Sequence, residues 1–447
     1  EQLGRTVGYA IRMESSRSAS TRLLLCTTGV LVRRLVDDPL LAGTTHVIVD
    51  EVHERSLDSD FLLTLLKDLL PKRPDLRLIL MSATLNEGVF SRYFGGCPCT
   101  TIPGFTHPVK EYWLEDILGM TKYEAAQFSD YARKPGPPPK SAEERAAREA
   151  EADAIAALAK KGYHEKVVRS LKILDQEKVN YELLLATLAW IVERGEAGAV
   201  LVFMPGLMEI SKLHEACLAH PGIRAASGGG AYVLGMHSAL STAEQNVAFQ
   251  RPPQGVRKIV IATNIAETSI TIDDVVWVLD TGRVKENRYS PDTHMQALVE
   301  CWVSKAAARQ RRGRAGRVQP GHCLRLFSRF THDVLMAEYQ EPEILRVPLE
   351  GLALQVKLLR LGDADRVSTP GADAPQPLAP ASASAGKGAS GSKQAQAPAK
   401  TTAKGGVAGF LARSLEPPSA DAVRAALREL GAIGALDERG ELTALGS

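Results

Sequence analysis

The chain has few cysteines, no long apolar segment and almost no net charge. Its 447 residues include six scattered cysteines, and Cys97-Pro98-Cys99 has no second pair at metal-ligand spacing. Neither a disulfide framework nor a zinc site is therefore expected. No apolar run reaches the roughly 18 residues of a membrane span, so we expect no membrane partner. The formal net charge of +2 means that any nucleic-acid site must depend on a local basic patch.

The cysteine content suits a reducing compartment, so we expect a cytoplasmic or nuclear protein. The first residue is Glu1 rather than Met. We therefore expect the chain to begin inside a longer protein, and targeting signals cannot be judged from this N-terminus.

Strands and helices alternate through much of the sequence. Hydrophobic residues make up 45% and charged residues 24%, as in a soluble globular protein, and the length suits about three domains. Strands are predicted at 22–26, 47–49, 76–81, 199–204, 233–236, 258–262, 275–279 and 323–327. Since helical patterns separate most of them, the sequence predicts an α/β fold with parallel sheets.

Changes in composition suggest the domain limits. We predict a first α/β unit at 1–105, a connector or insertion at 106–180, a second α/β unit at 181–363, a disordered low-complexity segment at 364–409, and a short helical piece at 410–447. The fourth segment is rich in Ala, Ser, Gly, Pro and Lys and has few large apolar side chains with which to form a core.

An acidic pair follows the predicted strand at 47–49. The sequence reads His46-Val-Ile-Val-Asp50-Glu51-Val-His53. The apolar run predicts a strand buried on both faces, with the carboxylates at its C-terminal end, where open α/β sheets bind ligands. One carboxylate could help to hold Mg²⁺ and the other could position or deprotonate a water molecule. A plain surface acid pair at a strand end is the alternative.

The second notable stretch is Arg-Gln-Arg-Arg-Gly-Arg-Ala-Gly-Arg at 309–317. If it is helical, Gln310, Arg314 and Arg317 share one face, and its two glycines leave room for a ligand to approach. Two guanidinium groups on one face suit the charge of a triphosphate. Arginine runs alone are unspecific, and a nucleic-acid patch or a solvated helix is the alternative.

Four motifs then occur in a characteristic order. Asp50-Glu51-Val52-His53, Ser82-Ala83-Thr84, Ile-Ala-Thr-Asn-Ile-Ala-Glu-Thr-Ser at 261–269 and Gln310 to Arg317 together resemble the DEAH-box RNA helicases, most closely the DEAH/RNA helicase A branch. Val52 departs from the literal DEAH letters, but DEVH variants occur in this branch. The resemblance implies two RecA-like parallel-sheet lobes, the first one N-terminally truncated, followed at 410–447 by the start of a winged-helix domain.

The resemblance also implies roles for residues of the first lobe. Asp50 would hold Mg²⁺ together with Glu51, and Glu51 would be the catalytic base. His53 would link this loop to the other lobe. Ser82 and Thr84 would couple hydrolysis to strand movement, although a Ser-Ala-Thr triplet after a strand is also a good helix N-cap.

In the second lobe, Arg314 and Arg317 resemble arginine fingers that reach the γ-phosphate, with Gln310 beside them. Asp273 resembles the residue that contacts the ribose. Phe249 resembles an aromatic that stacks on the base, although a phenylalanine of the core would give the same signal. The implied cofactors are ATP or another NTP, with Mg²⁺, and the two lobes would close on the nucleotide.

The implied macromolecular partner is RNA, as a single strand, a duplex or a structured molecule. Thr28 and Gly29 resemble a phosphate-contacting turn, Thr268 its counterpart in the second lobe, and Ser269 a serine that senses the nucleotide state. Residues 283–302 form a predicted hairpin that is either structural or placed near the point of strand separation. Because a grip on phosphates does not reject DNA by itself, a DNA substrate stays open. Protein partners are not indicated.

The family's phosphate-binding motif, Gly-x-x-x-x-Gly-Lys-Thr, does not occur. The sole Gly-Lys pair is Gly386-Lys387, followed by Gly388 rather than Thr. We therefore expect a fragment of an ATP-dependent RNA helicase, without substantial ATPase activity by itself. The alternative is a non-catalytic RNA-binding relative that has no such loop, and the full transcript would distinguish the two.

Overall fold

The computed structural model describes residues 2–83, 87–104, 106–134, 141–237, 240–268, 270–290, 295–361 and 405–446. The chain divides into two compact units. The first comprises Glu1–Pro98, Pro291–Met295 and Pro342–Ser447, and the second comprises Cys99–Ser290 and Gln296–Glu341. Most of the predicted low-complexity segment lies outside the described residues. Within the described ranges, no helix combines the length and the apolar character that crossing a bilayer requires.

The strands are β1 (Val7–Ile11), β2 (Glu14–Ser16), β3 (Leu23–Cys26), β4 (His46–Val49), β5 (Arg77–Leu80), β6 (Val109–Tyr112), β7 (Ala199–Phe203), β8 (Val233–Met236), β9 (Ile259–Ala262), β10 (Val275–Asp280), β11 (Arg283–Ser290), β12 (Met295–Trp302) and β13 (Gly321–Arg325). The eight strands that the sequence predicts are found close to their expected bounds. Strands β1, β2 and β6 are not among those predictions.

The α-helices are α1 (Thr28–Asp37), α2 (Leu57–Leu69), α3 (Glu87–Tyr93), α4 (Leu114–Thr121), α5 (Ala142–Lys160), α6 (Glu165–Ile173), α7 (Tyr181–Arg194), α8 (Leu207–Ala219), α9 (Pro221–Ala226), α10 (Thr242–Val247), α11 (Lys305–Gly313), α12 (Glu343–Arg346), α13 (Glu350–Leu358), α14 (Val407–Leu411) and α15 (Ala420–Ala432). Short 3₁₀ helices cover Val52–Glu54, Leu70–Lys72 and Asn264–Ala266, and a π-helix covers Thr331–Leu335.

The first unit is built around α2. The Ser56 side chain caps this helix by accepting a hydrogen bond from the Ser59 N–H. Its apolar residues join a core that also takes in α13, α14 and α15, and the rings of Phe61 and Phe410 meet edge to face at 5.6 Å. The unit also contains two small sheets, with strand orders β2-β1-β3 and β4-β5, and the second of them contributes side chains to this core. The strand pairs β1–β3 and β4–β5 are parallel.

Strand β4 differs from its prediction. Val47 and Val49 are buried, but Ile48 between them is 50% exposed, and Ile79 on β5 is 44% exposed. The prediction that this strand is buried on both faces is therefore wrong. The reason is that only the face with the two valines joins the hydrophobic core, and no layer covers the other face among the described residues.

The second unit contains a six-stranded sheet with the order β6-β13-β10-β7-β9-β8, and every described pairing in it is parallel. Along β7, Val200 and Val202 enter one hydrophobic cluster, while Leu201 and Phe203 enter another. Apolar layers therefore cover both faces, which explains the continuous apolar runs of the central strands. The prediction of an α/β fold with parallel RecA-like sheets is confirmed.

Strands β11 and β12 pair as a separate two-stranded sheet. This confirms the predicted hairpin at 283–302, although the residues of its turn lie outside the described ranges. Met295 and Leu298 on β12 are 66% and 62% exposed. The hairpin therefore presents apolar side chains to solvent.

Candidate functional site

The acidic pair lies where β4 ends. The Glu51 N–H donates to Asp50 Oδ1 at 2.8 Å, so the first carboxylate closes a local turn. Glu51 has φ 54°, in the left-handed region, and this turns the chain out of the strand into the 3₁₀ helix Val52–Glu54. Asp50 is exposed, and the side chain of Glu51 is 42% exposed. The backbone thus places two accessible carboxylates at a strand end, as predicted.

His53 links this turn to the segment after β5. Its Nδ1 atom accepts a hydrogen bond from the Ala83 N–H at 3.3 Å. The same nitrogen lies 3.4 Å from Glu51 Oε2. Ser82 lies beside this link, whereas Thr84 lies outside the described residues.

A buried charge pair, which sequence reasoning missed, anchors the end of the acidic turn. Arg55 has φ 51° and binds Asp60 through Nε at 3.0 Å and through Nη2 at 3.0 Å. Its Nη1 atom also donates to Glu416 Oε1 at 3.0 Å. Burial raises the pKa of Asp60, even though Arg55 favours its charged form. No periodicity of the sequence indicates that this arginine is buried, and its second partner, Glu416, is distant in sequence.

The acidic pair of the first unit also suits Mg²⁺. This ion is commonly held by one or two carboxylates together with water and substrate phosphates. Asp50 and Glu51 supply oxygen atoms of that kind, and Asp50 is exposed. The donor set therefore fits the ion.

The arginine stretch is only partly helical. Helix α11 ends at Gly313, Arg314 lies at its C-cap and Arg317 lies beyond it. The last turn tightens, because the Arg314 and Gly316 N–H groups donate to carbonyls three residues earlier, at 3.1 and 3.3 Å. The prediction that Gln310, Arg314 and Arg317 share one helical face is therefore wrong beyond Gly313. Glycine disfavours helix continuation, which explains the early end.

The second glycine of the stretch has a packing role. A Cβ on Gly316 would lie 2.7 Å from the His107 carbonyl oxygen and 2.7 Å from Val109 Cγ2. The Gly316 carbonyl also accepts the His107 N–H at 2.9 Å. The absent side chain therefore allows close contact with the segment that leads into β6, rather than access for a ligand as predicted.

Arg314 and Arg317 bind the loop between β9 and β10. Arg314 is 7% exposed, and its guanidinium donates to the carbonyls of Ile270, at 2.8 Å, and of Glu267. Arg317 is exposed and donates to the Thr271 hydroxyl. This loop carries Thr268, a predicted RNA contact. Ser269 lies outside the described residues.

Arg311 is the most deeply held member of the stretch, and sequence reasoning missed it. It is fully buried, and its Nε donates to Glu267 Oε2 at 3.1 Å while its Nη1 donates to Asp280 Oδ1 at 2.8 Å. Its guanidinium also lies 4.9 Å from the centre of the Phe203 ring. Burial raises the pKa of Glu267 despite this arginine. The interpretation of the stretch as a solvated helix therefore fails for Arg311 and Arg314. Gln310, beside them, is half-buried on α11.

Phe249 and Asp273 are both accessible. Phe249 follows α10 and is 44% exposed, which does not fit a phenylalanine of the core. Asp273 is exposed and precedes β10. Both positions remain available to a ligand.

Thr28 and Gly29 form the first turn of α1 rather than a separate turn. Thr27 is the N-cap residue, and its side chain makes no capping hydrogen bond. Backbone N–H groups at such a helix start lack intrahelical acceptors and can bind phosphate. The predicted role in phosphate contact is chemically reasonable at this place.

Comparison with known proteins finds similarity to helicases. The family described as Helicase conserved C-terminal domain matches residues 180–319. The DExH-box ATP-dependent RNA helicase DExH3 of Arabidopsis thaliana is 43% identical over 454 residues, which cover 100% of this chain and 34% of that protein. The ATP-dependent DNA/RNA helicase DHX36 of Homo sapiens is 40% identical over 452 residues, covering 99% of this chain and 40% of that protein.

A solved structure agrees with these sequences. The crystal structure of the Escherichia coli DEAH/RHA helicase HrpB matches with a TM-score of 0.63 and 29% identity, over 99% of this chain and 42% of that one. The chain thus spans well under half the length of these relatives. Its ordered motifs, its parallel sheet and these likenesses together lead to one conclusion: the chain belongs to the DExH-box helicases, in the DEAH/RNA helicase A branch.

Proposed function

We propose that the protein hydrolyses ATP or another NTP with Mg²⁺ and uses the energy to move along RNA and to separate its strands. The observation that carries this proposal is the set of hydrogen bonds from Arg314 and Arg317 to the loop of Thr268. Groups suited to phosphate charge are thereby tied to a segment expected to contact RNA. If a phosphate replaced these acceptors of Arg314 and Arg317, that segment would move.

The residues of the first unit suit the hydrolytic step. Asp50 would hold Mg²⁺, which neutralises phosphate charge when it is bound. Glu51 would orient the attacking water and accept its proton. His53 ties the turn of Glu51 to Ala83, which follows Ser82. Hydrolysis at Glu51 would thus affect the position of the segment after β5 through His53.

The arginines of the second unit suit the charge that develops on the transferred phosphoryl group. Arg314 and Arg317 present planar cations that match phosphate oxygens, and such groups mainly stabilise the transition state. Phe249 would stack on the base without selecting it, because every base has a π-face. Asp273 would accept a hydrogen bond from the ribose.

Binding to RNA would depend on phosphate contacts rather than on sequence. The start of α1 offers N–H groups, and Thr268 offers a hydroxyl. These contacts position a strand without reading its bases. One relative is named a DNA/RNA helicase, which supports testing DNA strands beside RNA.

The experiment begins with the full transcript, because an upstream Gly-x-x-x-x-Gly-Lys-Thr/Ser loop is required by this proposal. The encoded protein is then assayed for NTP hydrolysis with and without single-stranded RNA, and for separation of a fluorescent duplex. Glu51→Gln should lower the RNA-stimulated rate at least about a hundredfold, as expected for removal of a general base. Glu54→Gln, in the same turn, is the matched control and should keep the rate.

Two results would contradict the proposal. One is a wild-type rate that RNA does not stimulate, and the other is a Glu51→Gln rate equal to that of the wild type. RNA binding without hydrolysis, in a protein that has no upstream loop, would instead support a non-catalytic RNA-binding relative. The 447-residue chain alone should show no substantial hydrolysis.

A further inference from the structure

A buried lysine joins two loops of the second unit. Lys258 directly precedes β9, and its side chain is 0% exposed. Its ammonium lies 2.7 Å from Asp274 Oδ1 and donates to the carbonyls of Ala248, at 2.8 Å, and Gln250, at 3.0 Å. These acceptors come from the end of α10 and from the turn before β10.

The ammonium has no donor left for a ligand. A lysine side chain carries three N–H donors and no acceptor. Each donor of Lys258 has a protein oxygen within 3.0 Å. Burial of a charged pair is costly and is offset only where its geometry is good. The role of Lys258 is therefore to hold these segments together rather than to bind a small molecule.

The segments that it holds carry two predicted nucleotide contacts. Phe249 lies between the two carbonyls that accept from Lys258, yet its ring is 44% exposed. Asp273 is exposed and adjoins Asp274. The lysine thus fixes the backbone on both sides of the ring and beside the carboxylate, while both side chains stay accessible.

We propose that Lys258 is a positioning residue for nucleotide binding, which holds Phe249 and Asp273 in place for the base and the ribose. This inference rests on the proposed function. A ring and a carboxylate that are already in position lose less conformational freedom when the nucleotide binds. Removing the ammonium should therefore weaken nucleotide binding about tenfold.

The expected kinetic signature separates this role from catalysis. All three donors of Lys258 are engaged elsewhere, so the ammonium does not contact Arg314, Arg317 or the phosphates. A contact made equally in the ground state and in the transition state affects KM and leaves kcat unchanged. A residue that merely supported the fold would not give this split.

The neighbouring residue provides a matched control. The Arg257 guanidinium donates to the carbonyls of Ile191, Gly195, Glu196 and Gly198, which lie at the end of α7 and before β7. Arg257 therefore also ties loop carbonyls together, but these loops carry no predicted nucleotide contact. Arg257→Met should affect folding stability without affecting nucleotide binding.

The test uses the full-length protein. ADP binding is measured by calorimetry, and kcat and KM for ATP are measured at saturating RNA. Lys258→Met should raise Kd and KM about tenfold with kcat within about twofold, whereas Arg257→Met should change none of the three. In a Phe249→Ala background, Lys258→Met should raise Kd by clearly less than tenfold, because the contact with the base is already lost and only the ribose contact of Asp273 is left to disturb. Should Lys258→Met not fold, Asp274→Asn replaces it and should raise Kd about threefold by removing only the charge.

Several results would overturn the inference. These are an unchanged Kd in Lys258→Met, a fall in kcat as large as the rise in KM, or full additivity with Phe249→Ala. Binding of ADP without hydrolysis by the wild-type protein would contradict the proposed function alone, because Kd still reports on Lys258. A wild-type protein that binds no nucleotide would contradict both.

Discussion

The acidic turn of the first unit and the arginine stretch of the second are held in place by different means. Glu51 is placed by the end of β4 and by its left-handed backbone, while its side chain stays 42% exposed. Arg311 is placed by side-chain contacts with Glu267 and Asp280 and is fully buried. Substitution of a carboxylate should therefore leave the fold intact, whereas substitution in the arginine network should affect folding itself.

The largest expected effect is in the arginine network. Arg311→Met removes the guanidinium that hydrogen-bonds to the buried carboxylates of Asp280 and Glu267, which should lower the free energy of unfolding of the second unit by about 3–5 kcal/mol. All four tryptophans of the chain, Trp113, Trp190, Trp277 and Trp302, lie in this unit. Urea unfolding followed by tryptophan fluorescence therefore reports on it selectively.

Arg309→Met is the control for this prediction. Arg309 pairs with Glu338 on the surface, where the two side chains are 43% and 51% exposed. Its loss should cost less than about 1 kcal/mol. Equal effects of the two substitutions would show that burial does not distinguish these arginines.

The next effect concerns the backbone of the acidic turn. Glu51 has φ 54°, a conformation that glycine adopts without steric cost. Glu51→Gly should therefore give a free energy of unfolding about 1 kcal/mol higher than Glu51→Ala. Circular dichroism is the suitable measurement, since the first unit has no tryptophan. Equal free energies of unfolding of the two variants would show that the backbone at residue 51 is not strained.

The third prediction concerns pH. Glu111 on β6 is partly buried, which raises its pKa, but hydrogen bonds from Arg312 and Arg325 outweigh burial and leave the pKa below its usual value. Its carboxylate therefore stabilises the second unit above about pH 4.5, and this contribution is lost as the pH falls through and below that value.

The effect of Glu111 should be below about 1 kcal/mol, because the side chain is partly solvated. Urea unfolding of the wild type and of Glu111→Gln at pH 7 and pH 4 measures it. The wild type should lose more stability on acidification than the variant. Parallel losses would contradict the lowered pKa.

The smallest expected effect is that of Glu51→Gln on folding. The amide has nearly the same shape as the carboxylate, and the backbone rather than the side chain defines the turn. The free energy of unfolding should stay within about 0.5 kcal/mol of the wild type. A larger loss would show that side-chain contacts hold the acidic turn as well, which would remove the contrast with the arginines.

The sequence predicted well what depends on local pattern. The central strands of the second unit have apolar side chains on both faces, so their runs were recognised. The same rule failed for β4, where Ile48 is exposed, because a run of apolar letters does not state what covers it. Thr84 and Ser269 lie outside the described residues, and the roles of all the motif residues stay predictions.

The buried cations could not be predicted in the same way. Arg311 lies within a run of arginines, and Lys258 follows another basic residue, so both resemble surface positions in the sequence. Their burial depends on acceptors such as Asp280 and Ala248 that only the tertiary structure brings near. The end of α11 was also misjudged, although Gly313 gave a local signal for it.

The hydrogen bonds of Arg314 to the loop after β9 have a consequence for affinity. A guanidinium has five N–H donors, and the carbonyls of Ile270 and Glu267 take one each from Nη1 and Nη2 and thereby fix the plane of the group. Under the proposed function, a phosphate that turned this plane would compete with both carbonyls. The nucleotide and the hydrogen-bonded loop between β9 and β10 would then oppose one another by the same free energy. A change that loosens this loop, at a distance from any phosphate, would make the protein hold its nucleotide more tightly.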